Sequence, residues 1–141
     1  MSVFSDAELK SLTDGGRLGR LATVGADGTP HVVPVGLSYS RERDAIDVRG
    51  RDLKATKKFR DVARSGRAAI VVDDLASTNP WRPRGIEIRG RAEALDGRRP
   101  VIRIHPERIV SWGIESHVLG RRRSRAVVPS QERTSAPPAG R

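Results

Sequence analysis

Val48-Arg49-Gly50-Arg51-Asp52-Leu53-Lys54-Ala55-Thr56-Lys57-Lys58-Phe59-Arg60 is the stretch from which the rest of the chain can be ordered. It begins at the end of a β-type run, Ala45-Ile46-Asp47-Val48, in which Ile46 and Val48 alternate with polar neighbours, and passes through a glycine into a helical pattern. Ala55, Phe59, Val62 and Ala63 recur at three- and four-residue spacing, and Ser65-Gly66 is the stop signal. The stretch predicts a strand, a turn and a helix start, with Lys54, Lys57 and Lys58 in or near the first helical turn. Cations there are unfavourable by about 0.3–1 kcal/mol each when exposed, because a helix N-terminus already carries unsatisfied N–H groups and partial positive charge. A phosphate would offset them, held by backbone N–H groups with lysine and arginine as counter-charges. Three of the four lysines of an otherwise arginine-using chain fall within these five positions. A solvated basic helix face satisfies the same pattern.

A length of 141 residues suits one domain with a real core. The absence of cysteine excludes disulfides and cysteine–zinc chemistry. The longest apolar runs span only a few residues and the N-terminus lacks a basic-then-apolar layout, which predicts a soluble, cytoplasmic protein with no membrane partner. The net charge is +10, and residues 118–141 hold half of it: Arg121, Arg122, Arg123, Arg125, Arg133 and Arg141 against Glu132. That segment, with Pro137-Pro138, has little to bury and reads as a disordered basic tail after a domain of residues 1–117. Two Phe, one Tyr and two Trp give little for base stacking, and no helix-turn-helix, zinc or RNA-recognition pattern is present. Sequence-specific nucleic-acid binding is not expected. Nonspecific polyanion binding by the tail stays open.

Ser5-Asp6-Ala7-Glu8 is a capping-box pattern before Leu9 and Leu12, so a short helix opens the domain and ends near Gly15-Gly16. Leu18 to Val24 reads as a strand, and Gly25-Ala26-Asp27-Gly28 as a hairpin turn. In the next strand His31, Val33, Val35, Leu37 and Tyr39 share one face, while Pro34 marks an edge, a bulge or the approach of something other than a strand. Ala68 to Asp73 is a short apolar strand. Asn79-Pro80-Trp81-Arg82-Pro83-Arg84 is a loop by its prolines. Gly85 to Leu95 alternates clearly, and Val101 to His105 and Arg108 to Trp112 are two strands split at Pro106. About seven strands and two helices predict a mainly β (α+β) fold, a barrel or sandwich. His31 reads as a solvent or interface histidine, and His105 and His117 lack metal-ligand spacing.

Leu21-Ala22-Thr23-Val24 followed by Asp27-Gly28-Thr29-Pro30-His31-Val32-Val33-Pro34-Val35 resembles the opening of the pyridoxamine-5'-phosphate-oxidase-like split β-barrel family of flavin-binding proteins. Arg51 to Lys58 is similar to the family's basic phosphate-binding segment, and Gly85-Ile86-Glu87-Ile88-Arg89-Gly90-Arg91-Ala92 to its later strand; the resemblance spans roughly residues 4–115. The short, arginine-rich chain looks most like the actinobacterial branch that uses the deazaflavin coenzyme F420. The resemblance implies a split β-barrel, an FMN-binding-like fold, usually a homodimer with cofactor at the interface, and hydride transfer from reduced F420 to an electron-poor small-molecule substrate. It makes Lys54, Thr56, Lys57 and Lys58, with Arg51 beside them, candidates for the phosphodiester and acidic tail of the cofactor. Val33, Pro34, Val35 and Gly36 would face the ring, Val48 and Arg49 would lie along the ribityl chain, and Trp81 and Arg82 either cover the ring in a neighbouring subunit or simply anchor their loop. No Ser/His/Asp set or persuasive pair of carboxylates is present, as expected where the cofactor carries the chemistry. The alternatives are an FMN-binding oxidoreductase of the same fold and a non-catalytic cofactor carrier or polyanion-binding module.

Overall fold

Ser5 opens the first helix, α1 (Asp6–Thr13), through the capping box expected: its hydroxyl accepts from the Glu8 N–H at 3.2 Å and the Glu8 carboxylate accepts from the Ser5 N–H at 2.9 Å. The computed structural model describes residues 1–14, 17–115 and 122–128, so the expected glycine stop at 15–16 and His117 lie outside the described residues. After α1 come β1 (Gly19–Val24), β2 (Pro30–Ser40), β3 (Ala45–Arg49), a 3-10 turn (Leu53–Ala55), α2 (Lys57–Ser65), β4 (Arg67–Thr78), β5 (Trp81–Leu95), β6 (Val101–Trp112) and β7 (Arg122–Ala126). The hairpin joining β1 to β2 places Gly28 at φ 85°, a left-handed conformation that favours a residue without a Cβ.

The strands form one antiparallel sheet in the order β3-β2-β1-β4-β5-β6-β7, and an additional β3–β6 pairing closes it into a barrel. Leu21, Ile46, Ile70, Ile86, Ile88, Ile102, Ile104 and Ile109 fill its interior, with Phe59 and Val62 of α2 packed onto the same cluster. The described chain is thus mainly β, a split barrel of seven strands with two α-helices. The split is visible in two strands. β2 pairs with β1 through residues 30–35 and with β3 through residues 36–40. β6 gives one edge to β5, and divides the other between β3 at residues 102–104 and β7 at residues 108–112.

Three expectations need correction. Pro106 does not divide β6: a register shift beside Gly90 absorbs the proline as a bulge, and the carbonyl of His105 comes so close to Gly90 that a Cβ would have no room. Residues 79–84 are not a loop, because β4 and β5 continue as a hairpin whose turn is Asn79-Pro80 and whose bulge, between Leu75 and Ser77, adjoins Pro83. The seventh strand is β7, inside the segment expected to be disordered. Sequence reading saw only its arginines, whereas Arg125 donates to both carboxylate oxygens of the fully buried Glu8 at 3.0 and 2.5 Å, and to the Val3 carbonyl at 2.7 Å. Burial pushes the Glu8 carboxyl up, but hydrogen bonds from Arg125 and Ser5 and the Arg125 charge outweigh it and hold it below its ordinary value.

Candidate cofactor site

Because β1 leaves β2 at residue 35 and β3 joins it only at residue 36, β2 has, among the described residues, no strand along one edge over residues 30–35. Pro34 lies on this stretch, where a missing N–H costs the ladder least. Val32 (67% exposed), Val33 (38% exposed) and Pro34 are solvent-facing here, and a Cβ added at Gly36 or Gly50 would meet nothing within 4 Å. This is an accessible apolar surface with unpaired backbone alongside, suited to a planar heteroaromatic ring that brings its own donors and acceptors. Val35 and Val48 differ from this description. Their side chains are 6% and 0% exposed and belong to the core, so at these positions only the backbone is offered to a ligand.

The basic segment begins where β3 ends. Asp52 takes a left-handed conformation, φ 50°, which turns the chain into the 3-10 turn, and Thr56 then caps α2. The Thr56 hydroxyl donates to the Leu53 carbonyl at 2.6 Å and accepts from the Phe59 N–H at 3.3 Å, so its first role is structural. Lys57 and Lys58 are the first two residues of α2, where N–H groups lack helical acceptors, and the first turn holds no acidic residue. Lys54 is on the 3-10 turn and not in the helix.

The three lysines, grouped in sequence, engage different surroundings. The Lys54 ammonium lies 2.7 Å from Asp96, in the turn between β5 and β6. Lys57 reaches forward one turn along α2 to Asp61 at 3.4 Å. Asp61 is 1% exposed and also accepts from the Thr23 hydroxyl at 3.0 Å, with Arg64 at 3.5 Å. Burial pushes the Asp61 carboxyl up, yet the hydrogen bonds from Thr23 and Lys57 and the nearby cations leave it below its usual range. Lys57 also adds to the hydrogen bonds from Thr29 that lower Asp27 at the β1–β2 turn. Lys58 and Arg51 have no hydrogen bond or ion pair among the described residues. Arg49 donates to the Arg99 carbonyl at 3.0 Å.

Two parts of the site escaped sequence reasoning. Asp96 and Arg99 stand some 40 residues beyond the basic segment and carry no local signal; only the β3–β6 pairing brings their turn to it. Asp61, not singled out in the sequence, lies on α2 facing Thr23 of β1. Conversely, Trp81 (62% exposed) and Arg82 share no hydrogen bond or ion pair with Lys54 among the described residues. They start the 15-residue β5, and Asp96 follows its end, roughly 50 Å of extended chain away at about 3.3 Å per residue. Among the described residues no group of three His, Cys, Asp or Glu could hold a metal ion, and no helix is long and apolar enough to cross a membrane.

Comparison with known proteins bears on this geometry. A family model described as pyridoxamine 5'-phosphate oxidase matches residues 5–134. A 5a,11a-dehydrotetracycline/5a,11a-dehydrooxytetracycline reductase of Streptomyces rimosus is 47% identical over 121 residues, covering 79% of this chain and 84% of that protein. A conserved hypothetical protein of Mycobacterium tuberculosis superposes with a TM-score of 0.65 at 20% identity, covering 92% of this chain and 96% of the other. An F420 reductase superposes with a TM-score of 0.56 at 21% identity, covering 76% of this chain and 98% of its own. The last two agree in fold. With the extent of the family match and the 47% identity to a reductase, the split barrel with its open β2 edge and basic helix start belongs to the pyridoxamine 5'-phosphate oxidase family of oxidoreductases.

Proposed function

We propose that the protein is an F420-dependent reductase that acts as a cytoplasmic homodimer on an electron-poor small molecule. The observation that carries this reading is the open edge of β2 beside a segment where Arg49, Arg51, Lys54, Lys57 and Lys58 outnumber Asp52. Several cations along one segment suit a cofactor with a phosphodiester and an acidic tail better than one with a single phosphate, which favours F420 over FMN. The F420 reductase among the structural relatives and the reductase at 47% identity support the same assignment.

When bound, the deazaflavin would supply the hydride. The chain's part is to bind, orient and exclude water. Lys54, Lys58 and Arg51, with the free N–H groups at the start of α2, would hold the phosphate and acidic tail. Thr56 keeps that helix start in place, and Asp61 draws Lys57 toward the β1–β2 hairpin. Val33, Pro34 and Gly36 would lie against the ring, with backbone from Val35, and Val48 and Arg49 along the ribityl chain. The span of β5 supports a place for Trp81 and Arg82 at the site of the other subunit. Exposed Leu18, Val24, Val32 and Trp81 supply apolar surface for such a dimer. For substrate we carry over the class in the relative's name, a fused-ring molecule with a double bond in the position written 5a,11a-dehydro.

A fluorescence titration with F420 and, separately, with FMN tests the assignment. F420 is expected to bind tighter and with greater sensitivity to salt, and Lys54→Ala to lose about 1.5–3 kcal/mol of that affinity, the range for a charge-assisted hydrogen bond. Preference for FMN would turn the reading to a flavin oxidoreductase of the same fold.

A further inference from the structure

The turn between β5 and β6, residues 96–100, is fastened to the basic segment at two points. Arg49 donates to the Arg99 carbonyl at 3.0 Å, and the Lys54 ammonium meets the Asp96 carboxylate at 2.7 Å. Asp96 is the one acid in a turn that continues Gly97-Arg98-Arg99-Pro100. The side chains of Lys54 and Asp96 are 64% and 53% exposed, so water screens their attraction and the pair adds little to folding. The first contact already holds the turn in place. The second does something else: it neutralises one of the cations that the basic segment would offer to a ligand's negative charge.

We propose that Asp96 is an internal counter-anion that occupies Lys54 until a ligand phosphate or carboxylate displaces it, and so sets the affinity and charge selectivity of the anion site. The proposal rests on the assignment of Lys54 to cofactor binding made above. A tethered carboxylate competes at a high effective concentration, which a singly charged group overcomes poorly and a multiply charged one overcomes well. After displacement Asp96 stays nearby and repels the bound anion. Asp96→Asn keeps the size of the side chain and removes both effects. Anions should then bind about two- to fivefold tighter, the range for one exposed ion pair. The gain should shrink with added salt. Since the effect passes through Lys54, it should vanish when Lys54 is alanine.

The test is calorimetric titration of the wild type, Asp96→Asn, Lys54→Ala and the double variant with inorganic pyrophosphate at low and high salt, and in parallel with F420. Thermal unfolding serves as a control for the fold. Tighter pyrophosphate binding by Asp96→Asn that disappears in the Lys54→Ala background supports the proposal. Unchanged or weaker binding by Asp96→Asn overturns it, as does an equal gain with and without Lys54, or no measurable pyrophosphate binding by either wild type or Asp96→Asn. If Asp96→Asn tightens pyrophosphate through Lys54 while F420 fails to bind, the counter-anion stands and the assignment of the cofactor falls.

Discussion

Charges inside the barrel wall and charges on the basic segment obey different rules. Asp47, 6% exposed, receives two hydrogen bonds from Arg103 at 2.8 and 3.1 Å, and fully buried Glu8 receives two from Arg125. Each of these two buried carboxylates has a guanidinium fork fitted to it, because an unmatched charge in that setting costs several kcal/mol. Along residues 49–58 the balance is reversed. Cations exceed anions, Lys58 and Arg51 have no partner among the described residues, and Lys54 has only an exposed one. Matched charges hold the fold; under the proposed function the unmatched ones are there for a ligand.

Breaking a matched pair should have the largest effect. Arg125→Ala strands Glu8 and should cost about 3–5 kcal/mol in urea unfolding, and replacing both residues with apolar ones of similar volume should recover most of the loss. The same pair should shape the acid limb. Since Glu8 is held below its ordinary value of 4.5, its contribution is fully present above that value and is lost as pH falls through the lowered one. Arg125→Ala should flatten the limb in this window, which a series of melts between neutral and acidic pH would record.

A change without charge separates packing from electrostatics. Gly85 lies under the Trp112 ring, and a Cβ there would sit 2.5 Å from it and 2.9 Å from Cβ of Asp73. Gly85→Ala should cost about 1–3 kcal/mol of stability by overpacking and leave the acid limb unchanged. Lys57→Ala probes the boundary between the two charge regimes. Removing a partner from buried Asp61 should lower the melting temperature, whereas Lys54→Ala should leave it unaltered and reduce ligand affinity instead. The smallest effect belongs to an unmatched charge. Lys58→Ala removes a cation from the start of α2 and should raise the stability of the ligand-free protein by about 0.3–1 kcal/mol while weakening anion binding. Loss of stability here would mean that Lys58 is matched after all and would blur the contrast.

Much of this was legible locally. The capping box at Ser5 and Glu8, the β1–β2 hairpin turn, the apolar alternation of Ile86 and Ile88 and the helix stop at Gly66 depend on residues a few positions apart, and the structure keeps them. The strand count was anticipated for a partly mistaken reason: Pro106 divides nothing, and β7 makes up the number. Both errors have one cause. A bulge opposite Gly90 and a strand tied down by Glu8 are properties of partners remote in sequence, which no window of neighbouring residues contains.

By itself, the sequence determined where helices start and stop, which strand faces are apolar, and that a run of cations sits at the beginning of a helix, because backbone geometry and hydrophobic periodicity act over a few residues. Only the tertiary structure decided that Lys54 meets Asp96, that Asp61, within helical reach of Lys57, is buried against Thr23, that Val35 turns into the core, and that Trp81 lies at the far end of β5 from the basic segment. Such outcomes depend on packing between elements remote in sequence, above all on barrel closure through β3 and β6, which joins residues more than 50 positions apart and brings the Asp96 turn to the basic segment.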